Sequence, residues 1–243
     1  MDMHPGALKL FWSLKVRGTI HAGAHKGEEA GTYLKHGFGP VTWIEAIPEL
    51  ARDLERRTYP PDRVVNATLW KASGVPKNFT IMTASGSSSL FQLGTHLVEH
   101  PKIQPDKRIE VLTSTLDDLD LGDKKNLLVL DLQGSEYQAL EGSIHTLLGI
   151  DYIVSEVNRK QLYQGIMMIS ELDKLVQSLG FIRVATRWTR HGWGEALFIR
   201  SGLLPQGSAG FLWLRIKIAT YWIWLHLCEI PVVYVRKVLK GLS

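Results

Sequence analysis

Short runs of apolar residues recur along the first 200 positions of this chain, each followed by a stretch with apolar residues at helical spacing. The pattern predicts strands at 19–23, 41–46 and 64–69, and helices at 27–36 and 48–57, the second opened by Pro48. It resumes with strands at 127–132 and 152–157, helices at 135–148 and 169–179, and final strands at 181–187 and 195–200. Such alternation marks βαβ units around a mostly parallel sheet, and a turn at 190–194 makes the last two strands an antiparallel edge hairpin. The fold class is α/β. Residues 74–113 break the alternation: apolar runs at 79–82, 89–93 and 109–113 surround Ala84-Ser85-Gly86-Ser87-Ser88, with a polar connection at 94–108. They read as an inserted hairpin region. A linker at 202–210, with Pro205, Gly207 and Ser208, divides a body, 1–202, from a helical tail, 203–243.

Composition narrows the class. Of 243 residues, 45% are hydrophobic and 21% charged, which argues against disorder, and the lone Cys228 excludes an intrachain disulfide or a zinc site with two thiolates. The net charge of +4 belongs to the tail, where Arg215, Lys217, Arg236, Lys237 and Lys240 face only Glu229. The body is neutral, which argues against nucleic acid as a partner. Lys9, Lys15 and Arg17 interrupt the start of the chain, so no cleaved signal peptide is expected and the protein is expected to be cytoplasmic. The stretch 211–240 holds six aromatics, and its apolar run 218–235 is interrupted by Thr220, His226, Glu229 and Pro231. Two readings stand: a peripheral anchor at the inner face of a membrane, or a helical pair packed on the body or on the partner of a homodimer.

Three segments carry candidate chemistry. Ile20-His21-Ala22-Gly23-Ala24-His25-Lys26-Gly27-Glu28-Glu29 is a strand entering a glycine-bounded turn before a helix, where backbone can approach a nucleoside and free N–H groups are expected. Twenty-two residues beyond Gly23, Glu45 closes the second strand, the place from which a carboxylate holds ribose hydroxyls. The spacing lacks a third glycine for a pyrophosphate cofactor, so a nicotinamide-dependent oxidoreductase is disfavoured and S-adenosylmethionine fits better. Asp131 closes the strand at 127–132, and Glu156 and Asn158 close the next. Oxygen donors so placed are able to hold Mg²⁺; the alternative is that Glu156 and Asn158 cap the following segment. In the last hairpin turn, His191 is a candidate general base and Trp193 an apolar wall, or else the turn merely finishes the sheet edge. His96-Leu97-Val98-Glu99-His100 matches a zinc-protease pattern, but Pro101 truncates its helix. Asn66 and Asn78 sit in glycosylation-type triplets, incidental without secretion.

The order of these motifs, with Glu45-Ala46-Ile47-Pro48-Glu49, Asn66-Ala67, Ser87-Ser88-Ser89-Leu90, Thr115-Leu116-Asp117-Asp118-Leu119, Leu130-Asp131-Leu132-Gln133-Gly134-Ser135-Glu136 and Gly192-Trp193-Gly194-Glu195-Ala196-Leu197, resembles the FkbM family of S-adenosylmethionine-dependent methyltransferases over roughly 18–200. The resemblance implies a class I methyltransferase sheet of seven strands and methyl transfer to oxygen, often a hydroxyl of a sugar or a glycosylated product. Carried over by position, Gly23, Ala24, His25 and Gly27 would line the methionine part of the cofactor, Glu45 would bind its ribose, Asn66 and Ala67 would lie near its adenine, and Glu28 and Ala46 belong to the same cofactor-binding set. Leu132, Ser88 and Ser89 complete the implied cofactor set, while Asp131 and the 87–89 loop would approach the transfer site. The acceptor implied is a small or lipid-linked glycan, to which an anchoring tail would bring the enzyme. Family members usually carry Asp where this chain has His21. That departure keeps a second reading open, a methyltransferase-fold binding protein without catalysis.

Overall fold

The computed structural model describes residues 15–94, 102–122 and 125–204. The tail beyond Leu204 and the zinc-like pattern at 96–100 lie outside them. The central sheet is built from β1 (Thr19–Ala22), β2 (Val41–Glu45), β3 (Arg63–Asn66), β7 (Leu127–Leu130), β8 (Tyr152–Asn158), β9 (Phe181–Trp188) and β10 (Trp193–Arg200), in the order β3-β2-β1-β7-β8-β10-β9. Only β10 runs against the others, pairing antiparallel with β8 and with β9. This is the class I methyltransferase sheet that the motif order implies.

Every residue of β1, β2, β7 and β8 is buried. That is the condition of a parallel sheet with helices over it, and it is why continuous apolar runs, rather than alternation, reveal these strands. The helices are α1 (Ala30–His36), α2 (Pro48–Glu55), α3 (Glu136–Glu141), α4 (Ile144–Leu147) and α5 (Ile169–Ser178). Helix α1 stops at Gly37, whose φ of 68° lets its N–H close the Leu34 and Tyr33 carbonyls. The core joins Ile20, Leu128, Leu130 and Ile153 of the sheet to Leu140, Leu172 and Val176 of α3 and α5.

His21 belongs to this interior. It is 1% exposed, its Nδ1 lies 2.9 Å from the Tyr33 hydroxyl, and its ring centroid is 5.2 Å from that of Trp43. Burial pushes its pKa down to about 4, so the ring is neutral.

The structure corrects several boundaries. The expected strand at 64–69 divides at Ala67: Arg63–Asn66 stays on β2, while β4 (Thr68–Leu69) leaves to pair with β6 (Pro105–Ser114). Strand β6 also pairs antiparallel with β5 (Pro76–Met82), completing a second sheet ordered β4-β6-β5. It begins earlier than the apolar run at 109–113, because Asp106, Lys107 and Arg108 are exposed and carry no hydrophobic signal. No strand forms at 89–93, where only single bridges join Ser89 to Thr80 and Leu93 to Tyr163. There the Ser89 hydroxyl serves Gln133 O and Phe91 N, turning the chain out of a ladder. The helix expected at 135–148 breaks at Gly142-Ser143, where a Cβ on Gly142 would sit 2.5 Å from the Trp70 carbonyl oxygen. The first helix starts at Ala30 because the preceding residues form the site loop.

Strands β1 and β7 meet most closely just past their ends. Asp131 N donates to Ala22 O at 2.9 Å, and a Cβ on Gly23, at φ 86°, would stand 1.8 Å from Asp131 O. Gly23→Ala is accordingly expected to cost about 3 kcal/mol or more, read as a lowered urea midpoint at unchanged m-value.

Candidate functional site

An open cleft, about 660 Å³ with the solvent at its mouth included, lies at the carboxyl ends of β1, β2, β3 and β7, where ligands of open α/β sheets bind. Gly23 and His25 line one wall, Asp131, Leu132, Gln133 and Ser135 another. Ile47, Ala67, Leu69 and Phe79 form an apolar slot, and Ser85, Gly86, Ser88 and Leu90 of the inserted region approach from above.

The loop after β1 is curled by positive φ at Gly23, His25 and Gly27 (86°, 48° and 71°). The free N–H groups expected there are taken. Gly23 and Ala24 donate to Ile44 O, His25 to Glu45 Oε2 at 2.7 Å, Lys26 to Glu28 Oε2, and Gly27 to Ala24 O. The loop is thus a rigid wall and not an anion cradle. Glu45 Oε1 accepts Ile47 N at 2.8 Å, so its carboxylate pins the loops after β1 and β2 together. Burial raises its pKa against those hydrogen bonds. Each carboxylate oxygen keeps a second lone pair for a hydroxyl donor. The His25 ring spans the cleft mouth, with Nδ1 2.8 Å from Glu28 Oε1 and Nε2 2.7 Å from Ser85 Oγ.

Of the residues singled out from the sequence, Gly23, His25, Glu45, Ala46, Ala67, Ser88, Asp131 and Leu132 converge on this cleft. The others stand behind it. Ala24 is buried, Gly27 abuts Leu54, Glu28 holds His25, and Asn66 Nδ2 braces the Glu45 and Ala46 carbonyls at 2.8 and 3.2 Å. Ser89 Oγ donates to Gln133 O at 2.7 Å. His191 lies in the β9–β10 turn and is not among the residues lining the cleft; its Nε2 accepts Arg190 Nε at 3.2 Å. Trp193 packs on Leu162, Tyr163 and Ile166. Ser85, Gln133, Thr68, Leu69, Phe79 and Leu90 line the cleft without having been picked out. Gln133 had a signal, being one residue past Leu132 in the Asp131 motif.

Behind Asp131 gathers a set of buried carboxyls. Glu136 accepts Leu132 N at 2.8 Å and Gly134 N at 3.1 Å, and burial still lifts its pKa to about 7. Burial raises Glu156 well above the carboxylate range, with the charges of Asp131 and Glu136 adding to it, and raises Glu195 to about 7. Among the described residues no group of three or more His, Cys, Asp or Glu side chains is disposed to hold a metal ion. Between Asp131 and Glu156, where Mg²⁺ was considered, stands the Gln133 amide. Nor is any helix among the described residues long and apolar enough to cross a membrane.

The methyltransferase FkbM domain matches residues 21–183. No curated protein matches the chain. Among solved structures, the 1,6-didemethyltoxoflavin-N1-methyltransferase of Burkholderia thailandensis, with bound 1,6-didemethyltoxoflavin and S-adenosylhomocysteine, is 14% identical over 82% of this chain and 78% of its own, at a TM-score of 0.47. Magnesium protoporphyrin IX methyltransferase of Synechocystis PCC 6803, with bound S-adenosylhomocysteine, is 12% identical over 81% and 80%, also at 0.47. A TehB-like methyltransferase of Corynebacterium glutamicum is 11% identical over 82% and 89%, at 0.44.

A carboxyl whose folded pKa is raised favours folding when neutral, so the contribution of Glu136 is present at low pH and lost as pH climbs from 4.5 to about 7. Glu136→Gln should therefore gain about 1–3 kcal/mol on the wild type across that window. Chemical unfolding of both proteins at several pH values measures it, and taking the difference removes the opposite slope that His21 contributes.

Proposed function

The chain belongs to the FkbM methyltransferase family, and on that premise we propose that its cleft binds S-adenosylmethionine and that it methylates a hydroxyl of a sugar or glycan. The observation that carries the reading is the opposition of two carboxyl-bearing strand ends across one cleft: Glu45 after β2 and Asp131 after β7. The donor set fits the cofactor. Glu45 retains lone pairs for ribose hydroxyls, and the slot of Ile47, Ala67, Leu69 and Phe79 suits the faces of a purine. When bound, S-adenosylmethionine supplies an electrophilic methyl group on a sulfonium.

The protein's own residues then have three tasks. The rigid loop of Gly23–Gly27 and Glu45 fixes the donor's position, which matters because in-line displacement draws much of its rate from alignment. Asp131 accepts the proton of the acceptor hydroxyl, a weak nucleophile while protonated. The inserted region, tied to the β1 loop through Ser85 and His25, covers the cleft. The sugar character of the acceptor rests on family membership.

Calorimetry with S-adenosylhomocysteine, followed by methyl transfer from labelled S-adenosylmethionine to a panel of monosaccharides and glycosides, tests the reading. Binding with turnover is expected, and binding without turnover on any acceptor would favour a non-catalytic binding protein. Asp131→Asn should slow single-turnover transfer about 100-fold, and His191→Ala should leave it within about twofold. If neither substitution changed the rate, Asp131 would not be the base.

For residues 203–243, six aromatics flanked by cations support a membrane-interfacial tail serving lipid-linked acceptors. The full chain should float with anionic vesicles, and a 1–202 truncation should not. Equal behaviour of the two would leave the tail as a packing element.

A further inference from the structure

The carboxyl at the end of β7 does not stand alone. Its partner is Glu156 of β8, and one amide bridges the two: Gln133 Nε2 donates to Asp131 Oδ1 at 2.6 Å and to Glu156 Oε2 at 3.2 Å. The amide is itself oriented, because its Oε1 accepts the Tyr163 hydroxyl at 2.7 Å. A flipped Gln133 would turn its oxygen on two carboxyls and its NH₂ on a hydroxyl already pointed at it. The backbone is shaped for this arrangement too. Gln133 is a non-glycine residue at φ 51°, and its carbonyl accepts Ser89 Oγ at 2.7 Å.

Two carboxylates held against one amide nitrogen, with Glu156 buried away from water, repel each other, and one retained proton removes that repulsion. The acidic neighbours favour that proton, while Asn158 opposes it and Arg187 favours the ionised form of Glu195. Glu136 faces the pair from α3, Glu195 stands opposite Glu156 in the β8–β10 ladder with Arg187 beyond it on β9, and Tyr163 closes the loop side. Asn158 Nδ2 adds a contact to Glu156 Oε1 at 3.3 Å. We infer that Asp131 and Glu156 form one carboxyl pair holding a single proton, and that Gln133 and Tyr163 are positioning residues that clamp the pair so that Asp131 faces the cleft.

The catalytic consequence rests on the methyl-transfer reading; the pair itself does not. During transfer the acceptor O–H bond breaks and its proton passes to Asp131, the oxygen bonds the methyl carbon, and the S–C electron pair remains on sulfur. The pair goes from one proton to two and returns to one by release to water. Glu156, kept protonated, limits the negative charge beside a nucleophile that is itself becoming negative, while the clamp keeps Asp131 from swinging toward solvent.

Infrared spectroscopy tests the pair without any acceptor. At a pH well above 7, where Glu29, Glu136 and Glu195, each with a pKa of about 7, have ionised, the wild type should retain the carbonyl stretch of one protonated carboxyl. Glu156→Gln should abolish that band, and Tyr163→Phe, the milder variant, should shift it. A wild type without the band, or a band that survives Glu156→Gln, overturns the pair. S-adenosylhomocysteine affinity should stay within about twofold in both variants, which shows that the cleft is intact; no affinity in the wild type would sink the cofactor reading and leave the infrared result standing. With any acceptor that turns over, Tyr163→Phe should lower the single-turnover rate about tenfold and move the pH profile. A lower rate with an unmoved profile would reduce Tyr163 to a structural residue and overturn its assignment.

Discussion

The carbonyl oxygen of Asp131 occupies the space in which any residue but glycine at position 23 would carry its Cβ. This contact sits where the order of the sheet reverses between β1 and β7, and it sets how far apart the two site loops lie. The loop of His25 and the loop of Gln133 both leave from that point. Each then spends its backbone polar groups locally: the first on Ile44 and Glu45, the second on Glu136. The backbone donors of Gly23 to Gly27, Asp131, Leu132 and Gly134 are therefore already satisfied where these loops wall the cleft. Selectivity is left to a few side chains and one apolar slot.

The strands nearest the sheet centre were readable because burial on both faces demands unbroken apolar runs. Leu127–Leu130 obeys that demand throughout, while Thr19–Ala22, Val41–Glu45 and Tyr152–Asn158 obey it in their apolar stretches and bury the polar residues among them. What periodicity missed has a physical cause in each case. The first half of β6 is held by its ladder with β5 while its side chains face water, so composition says loop where hydrogen bonding says strand. The break at Gly142 comes from a neighbour distant in sequence, the Trp70 carbonyl, which local helix propensity cannot register. Likewise the free amides expected after Gly23 depended on what Ile44 and Glu45 would do, and both strand ends lie within reach.

The site was legible in outline for a related reason. Carboxyl ends of buried strands are the few places where a polar residue in an apolar run has somewhere to go, and Glu45 and Asp131 both occupy such ends. His191 shows the limit of the argument. A histidine in a hairpin turn offers the right chemistry, but this turn joins the edge strand β9 to β10, and His191 is not among the residues that line the cleft. Gln133 shows the converse: an amide, with no charge and no titration, has little to recommend it in sequence, yet it contacts three of the groups behind the cleft.

His21 carries one last consequence. Its imidazole, Tyr33 and Trp43 form a three-ring contact between β1, α1 and β2, with the phenol at hydrogen-bond distance from the imidazole and the indole stacked on the phenol at 5.5 Å. An Asp at position 21 would place a short carboxylate where a neutral ring now fills volume, leaving a void beside Trp43 and a charge without solvent. The three positions are thus coupled in packing, so a substitution at any one of them has to be compensated at the other two.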